Sequence, residues 1–202
     1  EGWKNKFGRR RFRKGDIFVA KKQAKTTFSG GYVIYRLMTG GPNTKCYGFA
    51  YDRNQASLIF GHAHGFVRSS PAVESRLDVI PSQKRIFREN GSFYVAMAGE
   101  GNAGGAEGID PNLVLFDEIH VQRSRVLYDS ITYASAAKPD SLLLSVSTVG
   151  VADQTSIWWE QYEYAKGILA GDVHDDARFA YVAQADDECL TNWAKCGEEE
   201  QW

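Results

Sequence analysis

A chain of 202 residues is long enough for one domain with a substantial core, and 43% hydrophobic with 24% charged residues is an ordinary globular composition. The net charge of −1 excludes a global attraction to nucleic acid, so any DNA contact must depend on local patches. The apolar stretches are too short to cross a bilayer, and no apolar segment as long as the h-region of a signal peptide follows the basic N-terminus, so we expect neither a transmembrane helix nor a signal peptide.

Residues 9–14 form a strongly basic segment before the first predicted strand. Two interpretations of this segment remain open. It is either a contact to phosphate or DNA, or the solvated edge of a hairpin that leads into the strand.

The next stretch has the layout of a phosphate-binding loop. Residues 17–20 are an apolar run of strand length, and residues 28–38 follow with a helical pattern. In such a strand–loop–helix unit, the loop N–H groups and the helix N-terminus face the phosphates. Lys25 would reach the β and γ phosphates, and the Thr26 hydroxyl would bind magnesium. The predicted nucleotide-binding residues are Ala20, Lys21, Lys22, Gln23, Ala24, Lys25, Thr26 and Thr27.

This loop departs from the consensus, because Ala20 and Ala24 stand where glycines are usual. If the loop requires a positive φ at Ala24, the Cβ costs about 1 kcal/mol. Lys21, four residues before Lys25, could neutralise charge on the transferring phosphoryl group. Its spacing alone favours a solvated lysine.

Strands and helices alternate along the rest of the chain. The pattern predicts strands at residues 45–51, 85–97 (around a turn at 89–92), 113–116, 142–147 and 178–185, and helices at 54–69, 123–137 and 156–169, with a Gly/Ala-rich loop at 99–108. This alternation predicts an α/β domain with a largely parallel central sheet flanked by helices.

Two predicted strands end in side chains suited to nucleotide hydrolysis. Ligands of open α/β sheets bind at the carboxyl ends of the strands, where Asp117 and Glu118 follow one apolar run. Asp117 could hold magnesium, and Glu118 could orient or deprotonate an attacking water. An exposed acidic pair that caps a turn is the alternative. Thr148, at the end of the next strand, could bond the γ-phosphate or the water.

These residues resemble the large terminase subunit of tailed bacteriophages, in the HK97-like branch. The resemblance extends over nearly the whole chain. Matching segments include Gly2-Trp3-Lys4, Arg10-Arg11-Phe12-Arg13, Tyr47-Gly48-Phe49-Ala50, Val67-Arg68-Ser69-Ser70-Pro71-Ala72, Leu115-Phe116-Asp117-Glu118-Ile119-His120, Arg125-Val126-Leu127-Tyr128-Asp129, Ser147-Thr148-Val149-Gly150 and Ile157-Trp158-Trp159-Glu160.

The resemblance implies an ASCE-type P-loop NTPase, with the strand of Thr148 between the loop strand and the acidic strand. It also implies a role for each site residue: Lys21 as a cation on the γ-phosphate, Lys25 as the loop lysine, Thr26 and Asp117 as magnesium ligands, Glu118 as the catalytic glutamate and Thr148 as the coupling residue. Some relatives carry an arginine that acts on a neighbouring subunit. Arg125 or Arg123 is the candidate here.

The resemblance further implies an ATPase motor domain that uses ATP and Mg2+ to move double-stranded DNA into a procapsid. The expected partners are DNA, the portal protein, the small terminase subunit and further copies in a pentameric ring. The expected location is the host cytoplasm, with transient binding to the procapsid and none to membranes. Residues 1–150 would form the ATPase core and residues 151–202 a small C-terminal lid-like subdomain with the start of a linker.

Two alternatives remain open: another ASCE ATPase, such as a helicase-like enzyme, or a nucleotide-binding assembly module that hydrolyses little. The chain begins without Met and ends in an acidic segment, so we expect a fragment of a longer protein that lacks a nuclease domain. Its three cysteines have no metal-site spacing, which favours free thiols in a reducing compartment.

Overall fold

The computed structural model describes residues 3–99, 108–122, 125–148 and 153–184. The strands are β1 (Lys14–Val19), β2 (Lys45–Ala50), β3 (Asp78–Ile80), β4 (Arg85–Phe87), β5 (Phe93–Ala98), β6 (Leu113–Asp117), β7 (Leu142–Ser147) and β8 (Arg178–Ala183). The helices are α1 (Lys25–Thr39), α2 (Arg53–Arg68), α3 (Pro71–Glu74), α4 (Arg125–Ala137) and α5 (Ile157–Ala170).

The eight strands form one sheet in the order β3-β4-β5-β2-β6-β7-β1-β8. The six strands from β5 to β8 in this order are parallel, and β3 and β4 extend the sheet in antiparallel fashion. This topology confirms the predicted largely parallel sheet. It also places β7, which carries the hydroxyl residues, between the loop strand β1 and the acidic strand β6.

Helices cover both faces of the sheet, which explains why the central strands are apolar without alternation. All five residues of β6 are buried. Its Leu113 and Leu115 pack with residues of α1 and α2, and its Val114 and Phe116 pack with residues of α4 and α5. The predicted α/β class is therefore confirmed as a three-layer arrangement.

A buried ion pair fixes the edge strand β8 to β1. The Arg178 Nε donates to the Asp16 Oδ2 at 2.6 Å, and its Nη2 donates to the Gln161 Oε1 of α5 at 2.6 Å. Asp16, Arg178 and Gln161 are 1%, 8% and 4% exposed, so the pair is shielded from solvent. Since α5 and β8 join the common core and sheet, the division at residue 150 and the lid-like movement stay predictions.

Arginines of the basic N-terminal segment hold a short hairpin against the sheet. Arg10 pairs with Lys4 across the hairpin and donates to the Asp140 carbonyl at 3.3 Å. The Arg13 Nη2 donates to three carbonyls at the end of α4. Arg11 pairs with the exposed Asp176 and lies over the Trp3 ring. These contacts favour the hairpin interpretation of the segment over a DNA contact.

Candidate nucleotide-binding site

The carboxyl ends of β1, β7 and β6 lie side by side at one edge of the sheet, because these strands are parallel neighbours. The Glu118 N–H donates to the Val146 carbonyl at 2.8 Å, which ties the tip of β6 to β7. The phosphate-loop residues follow β1, the acidic pair ends β6 and Thr148 ends β7. All three predicted parts of the site therefore meet at this edge.

The N-terminus of helix α1 follows the phosphate loop. The helix begins after Ala24, and no side chain among the described residues caps its first N–H groups. By contrast, the Asp52 carboxylate caps α2 and the Ser156 hydroxyl caps α5. The uncapped N–H groups of the first turn of α1 suit an anionic ligand, which the helix dipole also favours.

Lys25 is nearly buried beneath this loop, at 7% exposed. Its Nζ donates to the Ala20 carbonyl at 3.0 Å, so the ammonium folds back across the loop. Burial is the largest influence on the pKa of Asp117 and of Glu118 and acts to raise both, while the Lys25 charge acts in the opposite direction with a smaller effect. Lys21, Lys22 and Gln23 are exposed at the start of the loop.

Two loop residues other than glycine have a left-handed backbone, Lys22 with φ 66° and Ala24 with φ 52°. Such conformations cost about 1–2 kcal/mol for residues with a Cβ and often occur at ligand-binding loops. The sequence predicts a Cβ penalty if Ala24 has a positive φ, and the structure shows that it does.

The Ala24→Gly variant should be up to about 1 kcal/mol more stable than the wild type, because glycine adopts this backbone without a Cβ penalty. Urea unfolding would measure the difference. Ala20→Gly in the same loop is the matched control: Ala20 has no positive φ, so that variant should lose about 0.4–1 kcal/mol. Equal losses in both variants would show that Ala24 is not strained.

Asp117, the last residue of β6, and Thr26, in the first turn of α1, bring two hard oxygen donors together. The Thr26 hydroxyl donates to the Asp117 Oδ2 at 3.3 Å. The other carboxylate oxygen, Oδ1, is buried and has no hydrogen-bond partner in the described part of the chain. Burial, together with the charge of Glu118, raises the pKa of Asp117 to about 6. A cation at Oδ1 would satisfy this orphaned oxygen.

These residues fit Mg2+, which is usually held by one or two carboxylates and by substrate phosphates rather than by a complete protein cage. The described residues contain no cluster of three His, Cys, Asp or Glu side chains that could hold a metal. Asp117 and Thr26 would therefore act with the phosphates of a nucleotide.

The Glu118 carboxylate is held at one oxygen by the tip of β7. Its Oε2 accepts from the Thr148 N–H at 3.3 Å and from the Thr148 hydroxyl at 3.2 Å, and lies 3.0 Å from the His120 Nδ1. Burial alone would raise the pKa of Glu118, but the His120 and Thr148 hydrogen bonds and the nearby charges bring it below its ordinary value. Glu118 is thus kept ionised and able to accept a proton.

His120 is the one member of this cluster to which sequence reasoning assigned no role. It lies on a 3-10 turn, Ile119–Val121, directly after the acidic pair. The signal available was a polar side chain two residues beyond Glu118. Spacing alone could not show that this ring turns back toward β7.

The arginine predicted to act on a neighbouring subunit has partners within its own chain. The Arg125 guanidinium forms ion pairs with Asp129, one turn along α4, and with Glu160 of α5. Reaching another subunit would require these pairs to break, so the role of Arg125 stays a prediction. Arg123 lies outside the described residues.

The order of the strands and the convergence of a loop lysine, an acidic pair and a hydroxyl at their tips define an ASCE-type P-loop NTPase. The family model described as "Terminase large subunit, ATPase domain" matches residues 1–167. The chain belongs to this family, as the resemblance predicted.

Similarity to a phage HK97 protein supports this membership. The terminase large subunit of Enterobacteria phage HK97 is 30% identical over 151 residues, which are 70% of this chain and 29% of that protein. Its crystal structure superposes with a TM-score of 0.74 at 22% identity, over 88% of this chain and 36% of that one. The present chain thus spans about a third of these relatives.

Two further phage terminases share the fold. The ATPase domain of the Thermus phage P74-26 large terminase matches 96% of this chain and 87% of its own, with a TM-score of 0.69 at 15% identity. The large terminase of another thermophilic bacteriophage, solved in complex with ADP, matches 94% of this chain and 43% of its own, with a TM-score of 0.55 at 11% identity.

Proposed function

We propose that this chain is the ATPase motor domain of an enzyme that packages double-stranded viral DNA into a procapsid. One observation carries the proposal: Lys25, the Thr26–Asp117 pair and the Glu118–Thr148 pair meet at adjacent strand tips. Family membership supports ATP as the substrate, and the terminase solved in complex with ADP is consistent with it.

Each residue of the candidate site would have a separate role in ATP hydrolysis. The N–H groups at the start of α1 and the Lys25 ammonium would bind the β and γ phosphates. Asp117 and Thr26 would hold Mg2+, which would offset the phosphate charge. Glu118 would position and deprotonate the attacking water. Lys21 would lie near the γ-phosphate as a second cation, as the resemblance implies.

Thr148 would couple hydrolysis to movement. Its hydroxyl donates to the Glu118 Oε2 at 3.2 Å, and it would exchange this contact for one to the γ-phosphate. A change in that contact is a local charge change that can bias a two-state element. The segment from residue 151 onward, with α5 and β8, would respond as a lid, and Arg125 or Arg123 would act on a neighbour.

In the full-length protein, a pentameric ring of such subunits on the portal would drive DNA inward, with the small terminase subunit as a further partner. DNA contact would be to phosphates and therefore salt-sensitive and independent of sequence. The work would take place in the host cytoplasm, transiently on the procapsid. No helix within the described residues is both long and apolar enough to span a bilayer.

A second function remains open because of one observation, the strained Ala24 in the phosphate loop. A loop with this geometry could bind nucleotide and hydrolyse little, as expected of an assembly module. A helicase-like ATPase would share the same core. Turnover of the full-length protein, with and without DNA and procapsids, separates these functions, since procapsid stimulation is expected of the packaging motor alone.

Replacing Lys25 with Ala should weaken ATP binding and lower turnover by at least about 10²-fold, because the main charge on the β and γ phosphates is lost. Binding of a fluorescent ATP analogue and phosphate release would be measured on the full-length protein. Lys166→Ala, which removes a half-exposed lysine on α5, is the matched control and should change neither. Retained activity in Lys25→Ala would place the site elsewhere.

A further inference from the structure

The His120 ring bridges the tips of the acidic strand and its neighbour. Its Nδ1 lies 3.0 Å from the Oε2 of Glu118, which directly follows β6, 2.9 Å from the Ser147 Oγ of β7 and 3.4 Å from the Thr148 Oγ1. The His120 N–H also approaches the Ser147 Oγ, at 3.4 Å. Backbone and ring together therefore anchor this turn to β7, with the ring against the carboxylate.

The chemistry of the contact fixes the proton. An ionised carboxylate can only accept hydrogen bonds, so the contact to Glu118 requires the proton of the imidazole on Nδ1. The Thr148 N–H and hydroxyl donate to the same oxygen. Three donors thus converge on Oε2, and within the described part of the chain no hydrogen bond reaches Oε1.

The Thr148 hydroxyl has a single hydrogen to donate. If it turns to the γ-phosphate or to the attacking water, it no longer donates to Glu118. The His120 Nδ1–H also faces the Ser147 Oγ at 2.9 Å and the Thr148 Oγ1 at 3.4 Å, but of these three acceptors only the Glu118 carboxylate carries a charge, which makes it the strongest. His120 can therefore hold Oε2 when the Thr148 hydroxyl turns away.

We propose that His120 is a positioning residue that fixes the Glu118 carboxylate by its Oε2 and so leaves Oε1 to take the attacking water. The inference rests on the proposed ATPase function and assigns its general base a fixed orientation. Without this contact the carboxylate would turn among its χ3 positions, which are broad and weakly separated. Small misplacements of a catalytic group of this kind cost up to about 10²-fold in rate.

The test compares His120→Ala, His120→Asn and His120→Gln in the full-length protein with DNA and procapsids. His120→Ala should lower kcat by about 10- to 100-fold, with KM and ATP-γ-S affinity unchanged. Asn can place an amide donor close to the position of Nδ1, so His120→Asn should recover most of kcat. His120→Gln, whose donor lies one bond further out, should not.

A double variant separates positioning from a structural role. His120 acts only through the carboxylate, so in a Glu118→Gln background the change His120→Ala should cause no further loss of kcat. Thermal unfolding of each variant shows whether the fold is intact.

The remaining outcomes overturn the inference. An unchanged kcat in His120→Ala would show that His120 does not position the carboxylate. An equal loss of kcat in His120→Ala and His120→Asn, together with lowered thermal stability, would show that its role is structural. If the wild-type protein neither binds nor hydrolyses ATP, the proposed function is wrong, and the inference that rests on it is wrong as well.

Discussion

Replacing Glu118 with Gln should lower ATP turnover by about 10²–10⁴-fold while ATP still binds. The amide has nearly the same shape as the carboxylate but cannot accept a proton from water. Lys25, Thr26 and Asp117, which we propose hold the nucleotide and its metal ion, are unchanged in this variant. Phosphate release by the full-length protein with DNA and procapsids, beside equilibrium binding of ATP-γ-S, would measure both quantities.

Glu163→Gln is the matched control, since this half-exposed carboxylate on α5 pairs with Lys166 and lies outside the strand-tip site. It should behave as the wild type. Turnover that is unaffected by Glu118→Gln would rule out the assignment of Glu118 as the base. Loss of binding along with turnover would instead show that Glu118 supports the nucleotide site.

Replacing Asp16 with Ala should destabilise the fold by about 3–5 kcal/mol. The change leaves the Arg178 guanidinium buried without its carboxylate. Because this pair joins β8 to β1, we expect the loss of stability to affect β1, the strand that precedes the phosphate loop. Urea or thermal unfolding of the protein would measure the effect.

Asp176→Ala removes a carboxylate from a solvent-exposed pair with Arg11 and should change stability by no more than about 1 kcal/mol. Replacing Asp16 and Arg178 together with apolar residues of similar size should recover much of the loss, since no unpaired charge then remains. A similar small effect of both single changes would show that the Asp16–Arg178 pair contributes little.

The fold was predictable where periodicity and length were clear. The strand at residues 142–147 matches β7, and the helix and strand that enclose the phosphate loop were assigned correctly to within a few residues. Strand β3 and the short helix α3 went unpredicted. Both are three or four residues long with no buried residue, so they leave no pattern of apolar positions to recognise.

The candidate site was predictable as a set of strand tips, because parallel neighbours end at one edge. What spacing could not supply was the side-chain geometry. It did not show that Glu118 has a left-handed backbone or that His120 bonds it across two strands. Spacing also did not show that Arg125 forms an ion pair with Glu160, which is 35 residues further along the chain.

The pairing of β8 with β1 has a mechanical consequence. The two strands are parallel and joined in register from Lys14↔Arg178 to Val19↔Ala183. A pull on the chain beyond β8 would load this ladder in shear, so its hydrogen bonds would resist together rather than opening one at a time. Tension on β8 would therefore be passed through this ladder to β1 and so to the start of the phosphate loop.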